Sequence, residues 1–302
     1  MARWPALLVL SLVLWPRASH AQACCAGASA VTPGRLEMHE KVLVGWSSRV
    51  GAMVGSFDSH GRAHAKANGA SEWDFEHSFF AAARWLKRGQ GGVLVPIVHS
   101  LRSSATTSSE HGAGPGDINL FARYDLLYSR ERRYFPGVAV LAGVTFPTGR
   151  APESARLPLG SDATGIGTTQ LNVGFALERT FGPMWFNWLG LAAKRFDREV
   201  HGVESSLATL WSSTFAFGAH FGSNTAVGLV TTFSYEGDAS LDRRDVPNSG
   251  RRGLRTALAG SVSISDDFRI QSNLFVDPPI SGLGQNQITS AGMTVVLVRS
   301  IL

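Results

Sequence analysis

Eight ionisable side chains at alternating positions pose the first chemical question. Asp74, Glu76, Arg84, Arg123, Asp125, Glu178, Arg255 and Arg269 each fall on the polar parity of a segment whose other parity is apolar. Both signs occur, in places two residues apart, so the set suits Arg–carboxylate ladders better than a one-sign ring that selects ions. Such ladders either brace a wall or line a path for solute. Other chemistry is less well supplied. A hydrolase needs nucleophile, base and orienter at one place. His77 falls on an apolar parity and His220 on a polar one, and neither comes with a Ser and Asn/Asp set at a defined spacing. The expectation is a non-enzyme with no catalytic residue. His60 and His64 stand four apart in a loop-like stretch, but two ligands do not make a metal site. Gly165-Ile166-Gly167 lacks the helix that a nucleotide fingerprint requires, and no cofactor is implied.

What must hold the eight in register is a set of β-strands. In "GPGDINLFARYDLL", residues 114–127, Ile118, Leu120, Ala122, Tyr124 and Leu126 alternate with Asn119, Arg123 and Asp125; Phe121 and Leu127 break the pattern. Period-two alternation is the mark of a strand with two unlike faces. Twelve such segments are expected, near 38–56, 71–87, 91–101, 118–128, 134–146, 169–178, 183–196, 211–221, 227–236, 254–264, 268–277 and 288–301. The third is apolar on both faces rather than alternating and carries Pro96, which removes a ladder donor and makes it the weakest of them.

The connections alternate too. Short turns follow the even segments, and long stretches near 57–70, 102–115, 147–167, 197–206, 237–250 and 278–287 follow the odd ones. An even strand count with alternating short and long connections is the layout of a transmembrane antiparallel β-barrel of about twelve strands. Its short turns face the periplasm and its longer loops face outside. The apolar parity then meets lipid and the charged parity the interior, because backbone in a bilayer must be paired within a closed sheet. Trp and Tyr near strand ends fit interfacial girdles. A soluble barrel or sandwich is the competing architecture, and it needs neither so many strands nor paired charges on their polar faces.

Residues 1–23 read as a secretory signal peptide: Arg3, an apolar run from Ala6 to Leu14, then the small-residue site Ala21-Gln22-Ala23. Residues 24–37 follow as a periplasmic or plug segment, and 38–302 as the barrel. Losing Arg3 and Arg17 lowers the formal net charge from +5 to +3, too little and too dispersed for a nucleic-acid partner. The two cysteines, Cys24 and Cys25, are adjacent and staple no distant segments; the residues before Cys24 lack the aliphatic expected of a lipidation site.

"GPGDINLFARYDLL", "AVLAGVTFPTGR" and "GIGTTQLNVGFAL" together resemble the bacterial outer-membrane barrels grouped as phenol meta-pathway-associated, or MetA-type. The shared features are Gly-x-Gly-Asp before a strand bearing Arg123-Tyr124, then Pro147-Thr148-Gly149, then Gly165-x-Gly167, within residues 114–177. The resemblance implies a transporter of small, often aromatic, compounds. The chain departs from such barrels at its end, Arg299-Ser300-Ile301-Leu302, where an aromatic usually stands. The expected function is a passive channel for small solutes, aromatic or hydrophobic ones included, in the outer membrane of a diderm bacterium. Its partners would be outer-membrane lipid, the solute and the barrel-assembly machinery. The alternative is a structural or surface-interaction barrel with no open pore.

Overall fold

Burial along the strands is the reverse of that in a water-soluble protein. Around the opening stretch Leu120 is 45% exposed and Leu126 47%, while Arg123 is 5% and Asp125 7% exposed. Water would reject that arrangement and a bilayer favours it. The computed structural model describes residues 34–129, 131–132 and 134–301. The expected signal peptide and both cysteines lie outside the described residues, as does the 24–37 segment apart from 34–37.

Twelve long strands form the wall. They are β1 Val42–Phe57, β2 Ser71–Arg84, β3 Gly89–Ser103, β4 Ile118–Leu127, β5 Gly137–Phe146 and β6 Gln170–Phe181. The second half comprises β7 Met184–Arg195, β8 Leu210–Phe221, β9 Thr225–Glu236, β10 Arg251–Ser263, β11 Phe268–Val276 and β12 Gln287–Ile301. Each pairs antiparallel with its sequence neighbours, and β12 returns to β1 from Val42↔Ile301 to Phe57↔Gln287. The sheet closes and has no long free edge. Gly182 and Gly222 turn the tight hairpins β6–β7 and β8–β9 at positive φ, +56° and +67°, with nothing near a Cβ, so backbone freedom alone selects glycine there.

The strands differ from the sequence reading at several places. The first strand begins at Val42 rather than near 38, because Glu37 and Glu40 are drawn inward onto Arg269. The fifth begins at Gly137 rather than 134. Part of the expected 102–115 loop is strand: Glu110–Pro115 pairs with the outer half of β3, from Arg102↔Glu110 to Ile97↔Pro115. The loops after β7 and β9 also pair, as a small sheet of Arg198–Val200, Val203–Ser206, Ser240–Leu241 and Arg244–Asp245. Runs this short leave no readable period.

Pro96 marks a discontinuity rather than an end. The β3–β4 ladder stops at Leu94↔Asn119 and resumes as Ile97↔Pro115. Between them Gly116 N–H donates to the Pro96 carbonyl at 2.8 Å. Asp117, left unpaired by the ladder, accepts from the amides of Gly149 (2.8 Å) and Ile166 (2.6 Å). The three short motifs therefore meet at one place on the loop side of the wall. A Cβ on Gly165 would lie 2.4 Å from the Asp117 carboxylate, and one on Gly149 would lie 2.8 Å from Gly165.

Candidate functional site

Residues 34–41 run inside the barrel as a strap, and the polar parity of the wall holds it. Leu36 is buried against Leu43, Phe80, Ala82, Val296 and Val298, with Leu94 and Phe121 alongside. Its backbone N–H donates to Gln90 Oε1 at 2.9 Å. Gly34 lies so close to the Phe121 ring that a Cβ would come within 2.2 Å of it. Phe121 breaks the polar parity of β4 because it faces this strap. Leu127 breaks it because the β4–β5 register shifts between Asp125 and Leu127.

Two charge clusters anchor the strap. On the β4–β6 side, Arg123 donates to Asp125 Oδ1 (2.9 and 2.7 Å) and to Glu178 Oε1 (2.9 Å), and Arg35 of the strap pairs with the same Glu178. On the β11–β2 side, Arg269 pairs with Glu37 and, at 3.0 Å, with Glu40. Arg84 donates to the strap carbonyls of Glu40 (3.1 Å) and Glu37 (2.7 Å). One guanidinium thus serves two buried carboxylates. Burial pushes the Glu37 carboxyl above its usual range; Arg269 opposes this and the nearby Glu40 adds to it.

The other expected site residues sit in local pairs. Asp74 accepts from Ser100 Oγ at 2.6 Å; Glu76 accepts from Arg49 (3.1 Å) and Ser78 (2.9 Å). Arg255 makes a two-pronged pair with Asp277 (2.7 and 2.9 Å) and covers the Phe275 ring at 4.4 Å. Arg123, Asp125 and Glu178 come together in one cluster, Arg84 and Arg269 meet at the other, and Asp74, Glu76 and Arg255 join neither. The sequence reading missed Arg35 and Glu37, which lie in no periodic segment, and Glu40, which falls in the expected first strand on its apolar parity. It also missed Arg49, Arg195, Glu236 and Asp277, which share the parity of the residues it chose.

Beyond the strap lies a cavity of about 360 Å³. Leu94, Phe121, Leu141, Leu189 and Leu191 give it apolar walls, and Gly34 of the strap forms part of the lining. Asn119, Thr145, Gln170 and Asn172 add a polar band, joined by hydrogen bonds from Asn119 Nδ2 to Thr145 Oγ1 (2.8 Å) and Gln170 Nε2 to Asn172 Oδ1 (2.7 Å). Apolar walls with a few convergent polar groups describe a small-molecule pocket.

The histidines point elsewhere. His77 stacks on Trp46 and meets His99 edge-on, on the parity of the exposed Phe79, away from the cavity. His220 lies beside the Trp185 ring. His64 binds Asp58 at 3.0 Å, and that bond, with the Arg62 amide, lowers the Asp58 carboxyl to about 2. Among the described residues, the one group with metal-like spacing is Glu37, His39 and Glu40, whose carboxylates already share the Arg269 cation.

No family model matches the chain, and no curated protein matches it in sequence. Among solved structures, the COG4313 outer membrane channel from Pseudomonas putida F1 is similar over 89% of this chain and 97% of its own, at 12% identity and a TM-score of 0.73. At that identity the likeness bears on the fold, which is that of a closed outer-membrane barrel. The β domain of the Bordetella autotransporter BrkA has a TM-score of 0.49 at 7% identity over 87% of this chain and 100% of its own. A Pseudomonas aeruginosa FadL homologue has a TM-score of 0.43 at 9% identity over 95% and 96%. These two likenesses are too slight to carry an argument.

Proposed function

We propose that this barrel is a passive outer-membrane conduit for small, largely apolar solutes, with the strap of residues 34–41 narrowing its lumen. The observation that carries the proposal is the largely apolar cavity lined by β3 to β7 and bordered by the strap. A barrel that only braced a membrane has no need of an apolar pocket in its interior. The eight ionisable residues then act as wall and strap anchors around the path, and their paired charges leave little basis for ion selection. The similar barrel from Pseudomonas putida F1 is an outer membrane channel, which agrees with this reading. The resemblance to MetA-type barrels extends it toward aromatic compounds.

The second reading is a closed structural barrel, and the strap packed into the lumen is the observation that favours it. Liposome flux separates the two. The mature chain from residue 24, refolded to a heat-modifiable form, is expected to pass small uncharged sugars and aromatics slowly with a sharp size limit. Deleting residues 24–39 is expected to raise that flux several-fold. A folded barrel that passes nothing in either form supports the structural reading instead.

A further inference from the structure

Resting on the reading of the cavity as a solute site, we infer that it takes an apolar molecule with one neutral hydroxyl head, an alcohol in preference to a hydrocarbon or a carboxylate. The warrant is the direction of hydrogen bonding along the polar band. Thr145 Oγ1 accepts from Asn119 Nδ2 (2.8 Å) and from Asn172 Nδ2 (3.3 Å). Asn172 Oδ1 accepts from Gln170, and Gln170 Oε1 accepts from Arg195 Nε at 3.2 Å. Arg195 is itself neutralised by Glu236 at 2.6 Å.

Besides the second amide hydrogens of Asn119, Asn172 and Gln170, two groups of opposite sense are left facing one another on β4 and β5. With its oxygen accepting twice, Thr145 has a hydroxyl proton left to donate. Asn119 Oδ1 accepts from no described residue, and Asn119 and Thr145 are register partners that both line the cavity. A solute hydroxyl is the group that satisfies both, donating to Asn119 Oδ1 and accepting from Thr145. A carboxylate only accepts, so it leaves Asn119 Oδ1 unfilled, sets its charge beside that oxygen and finds only neutral amide and hydroxyl donors. The guanidiniums that could welcome it, Arg123 and Arg195, are already paired with Asp125, Glu178 and Glu236. A hydrocarbon displaces water from both groups and replaces none of its hydrogen bonds. The leucines and Phe121 provide for the apolar body.

A photoreactive octanol carrying a diazirine tests this, with the mature chain in lipid nanodiscs and labelled residues mapped by mass spectrometry. Labelling is expected at Leu94, Phe121, Leu141 and Leu189. Plain 1-octanol is expected to protect these positions at an aqueous concentration about tenfold lower than octane or octanoate requires. Thr145→Val and Asn119→Leu, each checked for heat-modifiable migration, are expected to erase that preference while protection by octane persists; one folded variant suffices. Equal protection by all three compounds, or a preference surviving in a folded variant, overturns this inference and leaves the conduit reading standing. Absence of label from the cavity overturns the hydroxyl site and the solute-site reading together.

Discussion

Arg269 sits between two carboxylates of the strap, Glu37 and Glu40, and its side chain is nearly buried. Replacing it by Met leaves two buried carboxylates without a cation, a loss of about 3 kcal/mol for the docked strap. The expected outcome is a strap that proteases reach in intact proteoliposomes while the barrel keeps its heat-modifiable migration. The same cluster sets a pH response. Its facing groups are Glu40, Arg269, His39 and the Arg84 guanidinium on the strap carbonyls. Because the docked Glu37 has a raised pKa, its contribution to docking is present below the ordinary carboxylate pKa and is lost as pH rises through the raised value. Solute flux is therefore expected to fall on acidification across that window. Glu37→Gln, which fixes the neutral form and leaves the Arg269–Glu40 pair, should flatten the profile in a flux titration.

At the scale of elements, most wall strands were legible because period-two alternation survives in them, whereas β3, apolar on both faces and carrying Pro96, was the weakest of the expected strands. The strap was not legible, since residues 34–37 follow no period, 38–41 were read as the start of the first strand, and the contacts with β2, β3, β6 and β11 that hold it are brought within reach only by the closed sheet. One trace of it stood in the sequence: Phe121, an aromatic on the charged parity of β4, is where the strap's Gly34 packs. Of the candidate site, the charged residues were readable by parity, but their grouping into two clusters was not, because Arg123 and Glu178 lie 55 residues apart. The motifs around Asp117 make a separate prediction. Asp117→Ala leaves the Gly149 and Ile166 amides without their acceptor, a loss of about 2 kcal/mol. Faster proteolysis within residues 147–167 is the expected sign, with Asp117→Asn intermediate.

For the molecule as a whole, the governing fact is a sheet turned inside out, with apolar side chains outward and ion pairs inward. Leu258 on β10 faces out at 54% exposure, between the exposed Leu229 and Leu274 on the neighbouring strands. Arginine there is expected to cost about 2–4 kcal/mol at the bilayer midplane, read as a lower urea midpoint for folding into liposomes. The same substitution would be nearly neutral on the surface of a soluble barrel. The central claim, however, is that the lumen is a solute path narrowed by the strap, and Gly34→Leu tests it most directly. The added side chain cannot share space with the Phe121 ring as it stands, so the strap's seat against that ring is lost without substituting any wall residue. Flux of a small uncharged aromatic into liposomes should rise several-fold in this variant with the barrel still heat-modifiable. Flux unchanged from that of the unaltered chain would contradict the account.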